Sequence, residues 1–422
     1  MKKTLLDQAM DPANQGIPER GRNDYWGWHR DNGFTRVVNV SGTMTSLGAS
    51  LVDPEVAKAA ADALGRFVRI HEMQAEASRA IAALTGSQAG FLTASASAGI
   101  TLAIAGAITG MDPARAEALP KNPGQRSEVV VQTGHLCGYG APVSTAVELA
   151  GGTVRAIGQS TLCMDHQLSG AITENTAAAL YVVSHHVVAY GQIPFARFVA
   201  ICREKGVPVI VDAASEYDLT GFIEKGADIA IYSAHKFLGG PTAGIVAGRR
   251  EAVRAAYLQN IGIGRGMKIG KESIAGAIAA MRRWLVRDHA AIRAEERAAL
   301  DLWMSAFSGN PGIRPEIVAD PTSNPLDRLQ VNVDPKAAGT TAAAIARHLA
   351  SLDPAIVVRD HEVELNYFQL DPCNLAPGQA NIVADAVGQV LKNAAAIATR
   401  PDDFDGARNG GVNAYMNFLS DA

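Results

Sequence analysis

The chain has 422 residues, 48% hydrophobic and 19% charged, with 38 lysines and arginines against 42 aspartates and glutamates and a net charge of −4. That is enough apolar material for a large α/β domain with a smaller one beside it, and the acidic balance lacks the basic excess that neutralising nucleic-acid phosphates demands. Cys137, Cys163, Cys202 and Cys373 form no CxxC pair, Met1–Gln8 is not followed by a signal-peptide core, and no run approaches the roughly 20 apolar residues of a membrane helix, so the expected location is a reducing cytoplasm.

Residues 1 to 35 are polar and aromatic, with Tyr25, Trp26, Trp28 and His29 close together, and read as an N-terminal arm that packs on the body or on a neighbouring subunit. Val37–Val40 reads as a short strand, followed by Ser41-Gly42-Thr43 and a helical region from Asp53 to Thr85 that breaks near Arg66 to His71. Short apolar strands then alternate with helices: Gly90–Thr93, Glu128–Gln132, Thr153–Ile157, Leu180–Ser184, Val207–Asp212, Ile229–Tyr232 and Gly244–Ala247. The alternation predicts a mainly parallel seven-stranded sheet covered on both faces.

Apolar residues at helical spacing from Ser273 to Leu300 predict one long helix leaving the large domain. Beyond the breakers at Asn310-Pro311-Gly312 and Asp320–Pro325, strands at Arg328–Val333, Ile356–Val358 and Tyr367–Leu370 surround a helix near Thr340–Ser351. An Ala-rich helix follows Pro377, and the tail from Arg400 reads as irregular. The expected division is an arm over 1–35, a large domain over 36–300, a small C-terminal α/β domain over 301–400 and a tail over 401–422.

Chemistry concentrates at strand ends. Asp212 closes one apolar strand and Ser233-Ala234-His235-Lys236 closes the next, so a carboxylate and an amine emerge at the carboxyl edge of a parallel sheet, where open α/β sheets bind ligands. With a hydroxyl and an imidazole beside the amine, these are the parts that hold pyridoxal 5′-phosphate. The lysine forms the Schiff base, and the aspartate keeps the pyridine nitrogen protonated so that the ring acts as an electron sink. The loop Gly239-Gly240-Pro241 follows the lysine. The segment Ser95 to Thr101 follows a strand and opens an apolar helix. It is either a plain N-cap or an anion cradle, with Ser97 and Thr101 offering hydroxyls and Gly99 permitting close approach. His135 ends another strand at the same edge, and Ser184-His185-His186 a further one. Adjacent histidines point in different directions, so a metal pair is not expected there.

Taken together, Arg36–Thr43, the Ser95–Thr101 turn, Gly134-His135, Asp212–Glu216 and Ser233–Lys236 with its glycine loop resemble the fold-type I pyridoxal-phosphate enzymes. More narrowly they resemble the group related to selenocysteine synthase that includes D-glucosaminate-6-phosphate ammonia-lyase. The resemblance implies a catalytic set of Lys236, Asp212 and His135, the last stacked on the ring, with Ser97, Ala98, Gly99, Ser233 and His235 completing the cofactor site. It also implies a homodimer or higher oligomer, in which the stretch Gly262–Lys271 could cross the subunit boundary or stand as a solvated loop. Arg265 there, Thr43 and Arg359 are the substrate candidates, Arg359 because a guanidinium forks onto a carboxylate. A surface strand-end arginine is the other reading of Arg359.

The implied reaction is α,β-elimination from a small 2-amino-3-hydroxy acid, with an amino-sugar acid phosphate as a candidate, giving a 2-keto acid and ammonia. An aldolase, racemase or aminotransferase on the same cofactor differs only in the bond broken, and a cofactor-binding regulatory protein is the non-enzymatic alternative. The short arm before Arg36 and the negative charge argue against a tRNA substrate.

Overall fold

The computed structural model describes residues 25–188, 190–393, 397 and 404–419. Its strands are β1 (Val37–Val40), β2 (Ala89–Thr93), β3 (Glu128–Gln132), β4 (Thr153–Ile157), β5 (Thr176–Val182), β6 (Val209–Asp212), β7 (Ile229–Ser233), β8 (Gly244–Gly248), β9 (Ile313–Ala319), β10 (Asp327–Val333), β11 (Ala355–Val358) and β12 (Tyr367–Leu370). They fall in two compact units. One comprises Gly48–Arg287 with Pro321–Asn324, the other residues 25–47, Asp288–Asp320 and 325 onward.

The first unit carries a seven-stranded sheet in the order β2-β8-β7-β6-β5-β3-β4. Its pairs are parallel except those of β8, which runs against both neighbours. Strands β2, β6, β7 and β8 are buried along their whole length, which explains their unbroken apolar runs, whereas the edge strand β4 exposes Thr153, Arg155 and Ala156. Register then aligns the chemistry. Val182 lies opposite Asp212, Asp212 opposite Ile231, and Gly244 opposite both Ser233 and Thr93, so these strand ends form one row.

The helices Pro54–Leu64 and Ile70–Thr85 are separated where the sequence breaks. The long helix expected from Ser273 to Leu300 is in fact two, Lys271–Val286 and His289–Phe307. Arg287 is extended, and the Asp288 carboxylate caps the second helix by accepting from the Ala291 amide at 2.9 Å. Each helix buries an apolar face of its own, so the spacing runs through the break and conceals it. The chain also passes from one unit to the other here, between Arg287 and Asp288 rather than near residue 300.

The second unit holds an antiparallel sheet, β12-β10-β9, and a parallel pair, β1-β11. Pairing Val37–Val40 with Ala355–Val358 puts β1 in this unit, although it precedes the large one in sequence. Val38, Val40, Trp303, Phe307, Val331, Phe368 and Val387 share its core, and Trp26 packs against it. The Trp303 indole donates to the Ala380 carbonyl at 3.0 Å. Of the expected arm, Trp28 stacks on Phe34, and residues 1–24 lie outside the described residues. Strand β9 escapes sequence reading because Pro315 interrupts it and most of it is only half-buried, as suits an edge. The tail, expected to be irregular, contains a helix over Phe404–Asn417. Gly410 and Gly411 each cost a helix about 1 kcal/mol against alanine, a penalty that weakens it without forbidding it. Among the described residues no helix is long and apolar enough to cross a membrane.

Candidate active site

Lys236 stands three residues past β7 on a turn closed by backbone bonds. The Ala234 amide donates to Ala243, the Gly240 amide to Ala234 and the Gly239 amide to the Lys236 carbonyl, at 2.8–3.0 Å. Gly239 takes φ +66°, the left-handed conformation that such a reversal needs and side chains resist. The glycines after the lysine therefore shape its turn. The Ser50 hydroxyl fastens the same segment by donating to the His235 carbonyl at 2.7 Å.

The Lys236 amine donates to the Ser215 hydroxyl, three residues beyond Asp212. Asp212 is 6% exposed, and its carboxylate accepts from the Ala214 amide at 3.1 Å. Burial pushes the Asp212 carboxyl up, opposed by that amide and by the charge of Lys236. Burial pushes the Lys236 amine down, and the carboxylates of Asp212 and Glu216 pull it back. The result is a lysine that gives up its proton more readily than a surface lysine, within the field of a buried acid. Ser215 was quoted in the sequence only as part of a motif. Its signal is its place in the turn after a strand-end aspartate.

Ser95 caps the helix Ala96–Thr109 by accepting from the Ala98 amide at 3.1 Å. The Gly99 amide is taken by the Ser95 carbonyl at 3.0 Å, and a Cβ on Gly99 would press on Val246 and Ile231. Ala98 and Gly99 thus spend their amides on the cap and the helix, and Gly99 is there for packing on the sheet. The amides of Ala96 and Ser97, in the first helical turn, have no acceptor within the helix and are the donors available to an anion. A Cβ on Gly244 would lie 2.2 Å from the Ser95 carbonyl, so only glycine lets this helix start sit on β8. Opposite Gly244 is Ser233, 5% exposed. The Ser97 hydroxyl lies 3.4 Å from that of Tyr139, a residue the sequence did not single out.

His135 is 2% exposed in a tight turn after β3. Its Nδ1 accepts from the Val182 amide at 3.2 Å, its ring meets Tyr181 edge-on at 4.5 Å, and burial lowers its pKa to about 4. The imidazole is consequently neutral and fixed in orientation. Burial and the charge of Asp212 push the nearby Cys137 thiol up to about 11, which makes it an inert thiol. The His235 ring bonds the Ala243 backbone, and its buried Nδ1 has no partner among the described residues.

Arg265 is exposed on a 3-10 turn, Ile263–Met267, whose end approaches Thr93 through the Met267 carbonyl at 3.5 Å. No strand precedes this turn, so its glycines are not a dinucleotide fingerprint. The rings of His185 and His186, past the end of β5, are tilted by 48° to each other with centres 3.9 Å apart. Thr43 and Arg359 belong to the second unit. Arg359 is not a surface arginine. It is 6% exposed, and its Nε has no hydrogen-bond partner among the described residues. Burial and the like charge of Arg328 lower its pKa. Of the carboxylates whose charge acts on it, Glu362, Asp371 and Asp320, the last two are bound by Arg328, at 2.9 Å and 2.7 Å.

Comparison with known proteins agrees with this geometry. Residues 37–300 match the family model of L-seryl-tRNA selenium transferase, SelA. A D-glucosaminate-6-phosphate ammonia lyase of Salmonella typhimurium is 36% identical over 86% of this chain and 97% of its own. A 5′-C-glycyluridine monooxygenase-decarboxylase of a Streptomyces species is 35% identical over 83% of this chain and 89% of its own. Among solved structures, one of D-glucosaminate-6-phosphate ammonia-lyase superposes with a TM-score of 0.79 at 35% identity, covering 87% of this chain and 99% of that one. A serine palmitoyltransferase with pyridoxal phosphate shares the fold at 16% identity, covering 85% of this chain and 88% of that one, with a TM-score of 0.55.

Proposed function

The chain belongs to the L-seryl-tRNA selenium transferase family, and we propose that it releases ammonia, by way of dehydration, from a small 2-amino-3-hydroxy acid bearing a terminal phosphate, of the amino-sugar acid class, to leave a 2-keto acid. It is a pyridoxal 5′-phosphate-dependent lyase. The observation that carries this reading is the Lys236 amine on the Ser215 hydroxyl, its proton affinity lowered by burial, at the strand end beside that of the buried Asp212.

The residues fit the cofactor by donor chemistry: an amine to carry the aldehyde, a buried carboxylate for the ring nitrogen, and unengaged helix-start amides with Ser97 and Ser233 for the phosphate. When bound, the cofactor supplies the sink that accepts the electrons of a broken bond at Cα. Lys236, which would hold the cofactor at rest, would take the Cα proton at Nζ. Burial favours that role by leaving the amine unprotonated more often. The carbon–oxygen bond at C3 then breaks, and the departing hydroxide leaves as water. The resulting enamine tautomerises, and hydrolysis of its carbon–nitrogen bond returns one water and releases ammonium, so the net loss is ammonia.

His135, neutral and fixed, supplies a flat face for the ring. Arg359 is assigned the substrate carboxylate, since a buried guanidinium whose Nε has no acceptor among the described residues can fork onto one. Thr43 and Arg265 complete the set proposed for substrate, Arg265 for its phosphate. The protein acts as a homo-oligomer.

Purified protein is incubated with D- and L-2-amino-3-hydroxy acids, with and without terminal phosphate, while ammonia, keto acid and oxygen are measured. Equal amounts of ammonia and keto acid without oxygen uptake are expected. Oxygen consumption with release of carbon dioxide would overturn the lyase reading in favour of chemistry like that named for the Streptomyces relative. Glycine plus an aldehyde would make the enzyme an aldolase.

A further inference from the structure

The loop Pro321–Asn324 belongs to the first unit although the chain on either side of it belongs to the second. It meets the turn after Asp212 through a short run of polar contacts. The Thr322 hydroxyl donates to the Glu216 carboxylate at 3.0 Å, and the Asn324 amide donates to the Thr322 hydroxyl at 2.9 Å and to the Ser215 carbonyl at 3.4 Å. The Asn324 side-chain carbonyl accepts from the Tyr217 amide at 2.7 Å. Between the two contact residues, Ser323 takes φ +66°, a conformation that side-chain-bearing residues resist and that persists where surrounding bonds over-determine it. Glu216 itself is 7% exposed. Nothing in the chemistry assigned to Asp212 or Ser215 requires a second buried carboxylate here.

The elimination supplies a reason for one. Lys236 takes the Cα proton, and that proton has to stay on Nζ until the hydroxide leaves C3, when it passes to the departing oxygen and water forms. A group buried enough to be a ready base is a poor holder of charge. A fixed anion beside it offsets that defect. Resting on the reading of Lys236 as the cofactor lysine, we propose that Glu216, anchored by Thr322 and Asn324, is a positioning residue that holds positive charge on the Lys236 amine between the two proton transfers. The other charged or titratable groups acting on that amine are Asp212 and its neighbour in sequence His235. Asp212 is committed to the cofactor nitrogen and His235 is held neutral by burial, so Glu216 is the anion left for the task. The same carboxylate acts on the Tyr232 hydroxyl, which donates to the Leu219 carbonyl at 3.1 Å.

The test uses the holoenzyme. Glu216→Gln keeps the acceptor for Thr322 and removes only the charge. The visible absorption band of the lysine-bound cofactor is titrated against pH in the wild type, in Glu216→Gln and in Thr322→Val, with thermal melting as a check on folding. The midpoint should fall by about one pH unit in Glu216→Gln, a tenfold loss of proton affinity, and by less in Thr322→Val, where the charge stays but its anchor goes. kcat should fall with KM unchanged, and Glu216→Asp should recover part of the midpoint. An unmoved midpoint in Glu216→Gln, whether or not melting changes, overturns the proposal. Should that variant fail to fold, an unmoved midpoint in Thr322→Val does so. Borohydride reduction and peptide mapping keep the premise separate. Label away from Lys236 defeats the reading of the lysine itself, whereas label on Lys236 with an unmoved midpoint defeats Glu216 alone.

Discussion

Two buried charge clusters, one in each unit, solve the same problem in opposite ways. In the first unit the Lys236 amine lies in the field of two buried carboxylates, Asp212 and Glu216. In the second unit two carboxylates, Asp320 and Asp371, are both bound by Arg328, and Arg359 is buried close by with its Nε unpartnered among the described residues. Acid beside an amine makes a site that can hold a proton. A buried guanidinium whose Nε has no acceptor among the described residues makes a site that waits for an anion. Buried charge is expensive unless paired, so each imbalance marks a place where a ligand completes the count.

The largest effect is expected at the first cluster. If Lys236 only balanced Asp212 and Glu216, Lys236→Arg would preserve both charge and activity. As a working amine it cannot be replaced by a guanidinium that never loses its proton. Lys236→Arg should therefore fold with a melting temperature close to wild type, bind the cofactor without covalent attachment, and lose about 10²–10⁴-fold in turnover, the usual weight of a general base. Retained activity in steady-state assays would reduce the cluster to a structural ion pair.

How much of this contrast was legible beforehand depended on what each feature needs. The sheet needs only local apolar runs, and its seven strands, with Asp212 and Lys236 at or just past their ends, could be read from the sequence, although the strand expected over Leu180–Ser184 runs over Thr176–Val182. The break at Arg287-Asp288 could not, because both flanking helices keep the same apolar spacing and only the cap reveals the join. The contacts of Thr322 with Glu216 and of Asn324 with Tyr217 span 106 and 107 residues and carry no periodic signal. The sequence offers Arg359 as a candidate, but its decisive property is a buried Nε with no acceptor among the described residues, a fact of packing that no spacing encodes. Ala98 and Gly99 were counted in the anion cradle since serine-rich turns open such cradles. Which amides stay free was decided by the Ser95 cap.

The second cluster can be broken asymmetrically. Arg328→Met would leave two buried carboxylates without the cation that is bonded to both, and loss of one partner from a buried ion pair costs about 3–5 kcal/mol, read from denaturant midpoints. Arg359→Met removes a charge that has no hydrogen-bonded acid, so the fold should keep its stability or gain slightly. KM for substrate should meanwhile rise about 10–100-fold, in line with a charge-assisted hydrogen bond worth about 1.5–3 kcal/mol. Equal destabilisation by the two variants would show that Arg359 is paired after all and remove it from the substrate site.

A third buried base sharpens the comparison, because histidine has an escape that arginine lacks. His135 avoids the cost of burial by staying neutral, with Nδ1 unprotonated to accept from the Val182 amide and a pKa lowered to about 4. In the unfolded chain the same imidazole titrates near 6.5. Between those values the unfolded state binds the proton and the folded state refuses it, so the stabilisation is complete above about pH 6.5 and is lost as pH falls toward 4. The gap corresponds to about 3 kcal/mol. His135→Asn keeps an acceptor for Val182 and cannot titrate, so its melting temperature should fall less than that of the wild type between pH 7 and pH 4.5. An identical acid slope in the two proteins would mean that the imidazole is charged, or reaches water, in the folded state. A charged ring could not accept from Val182, and the account of His135 as a fixed, neutral face for the cofactor would go with it.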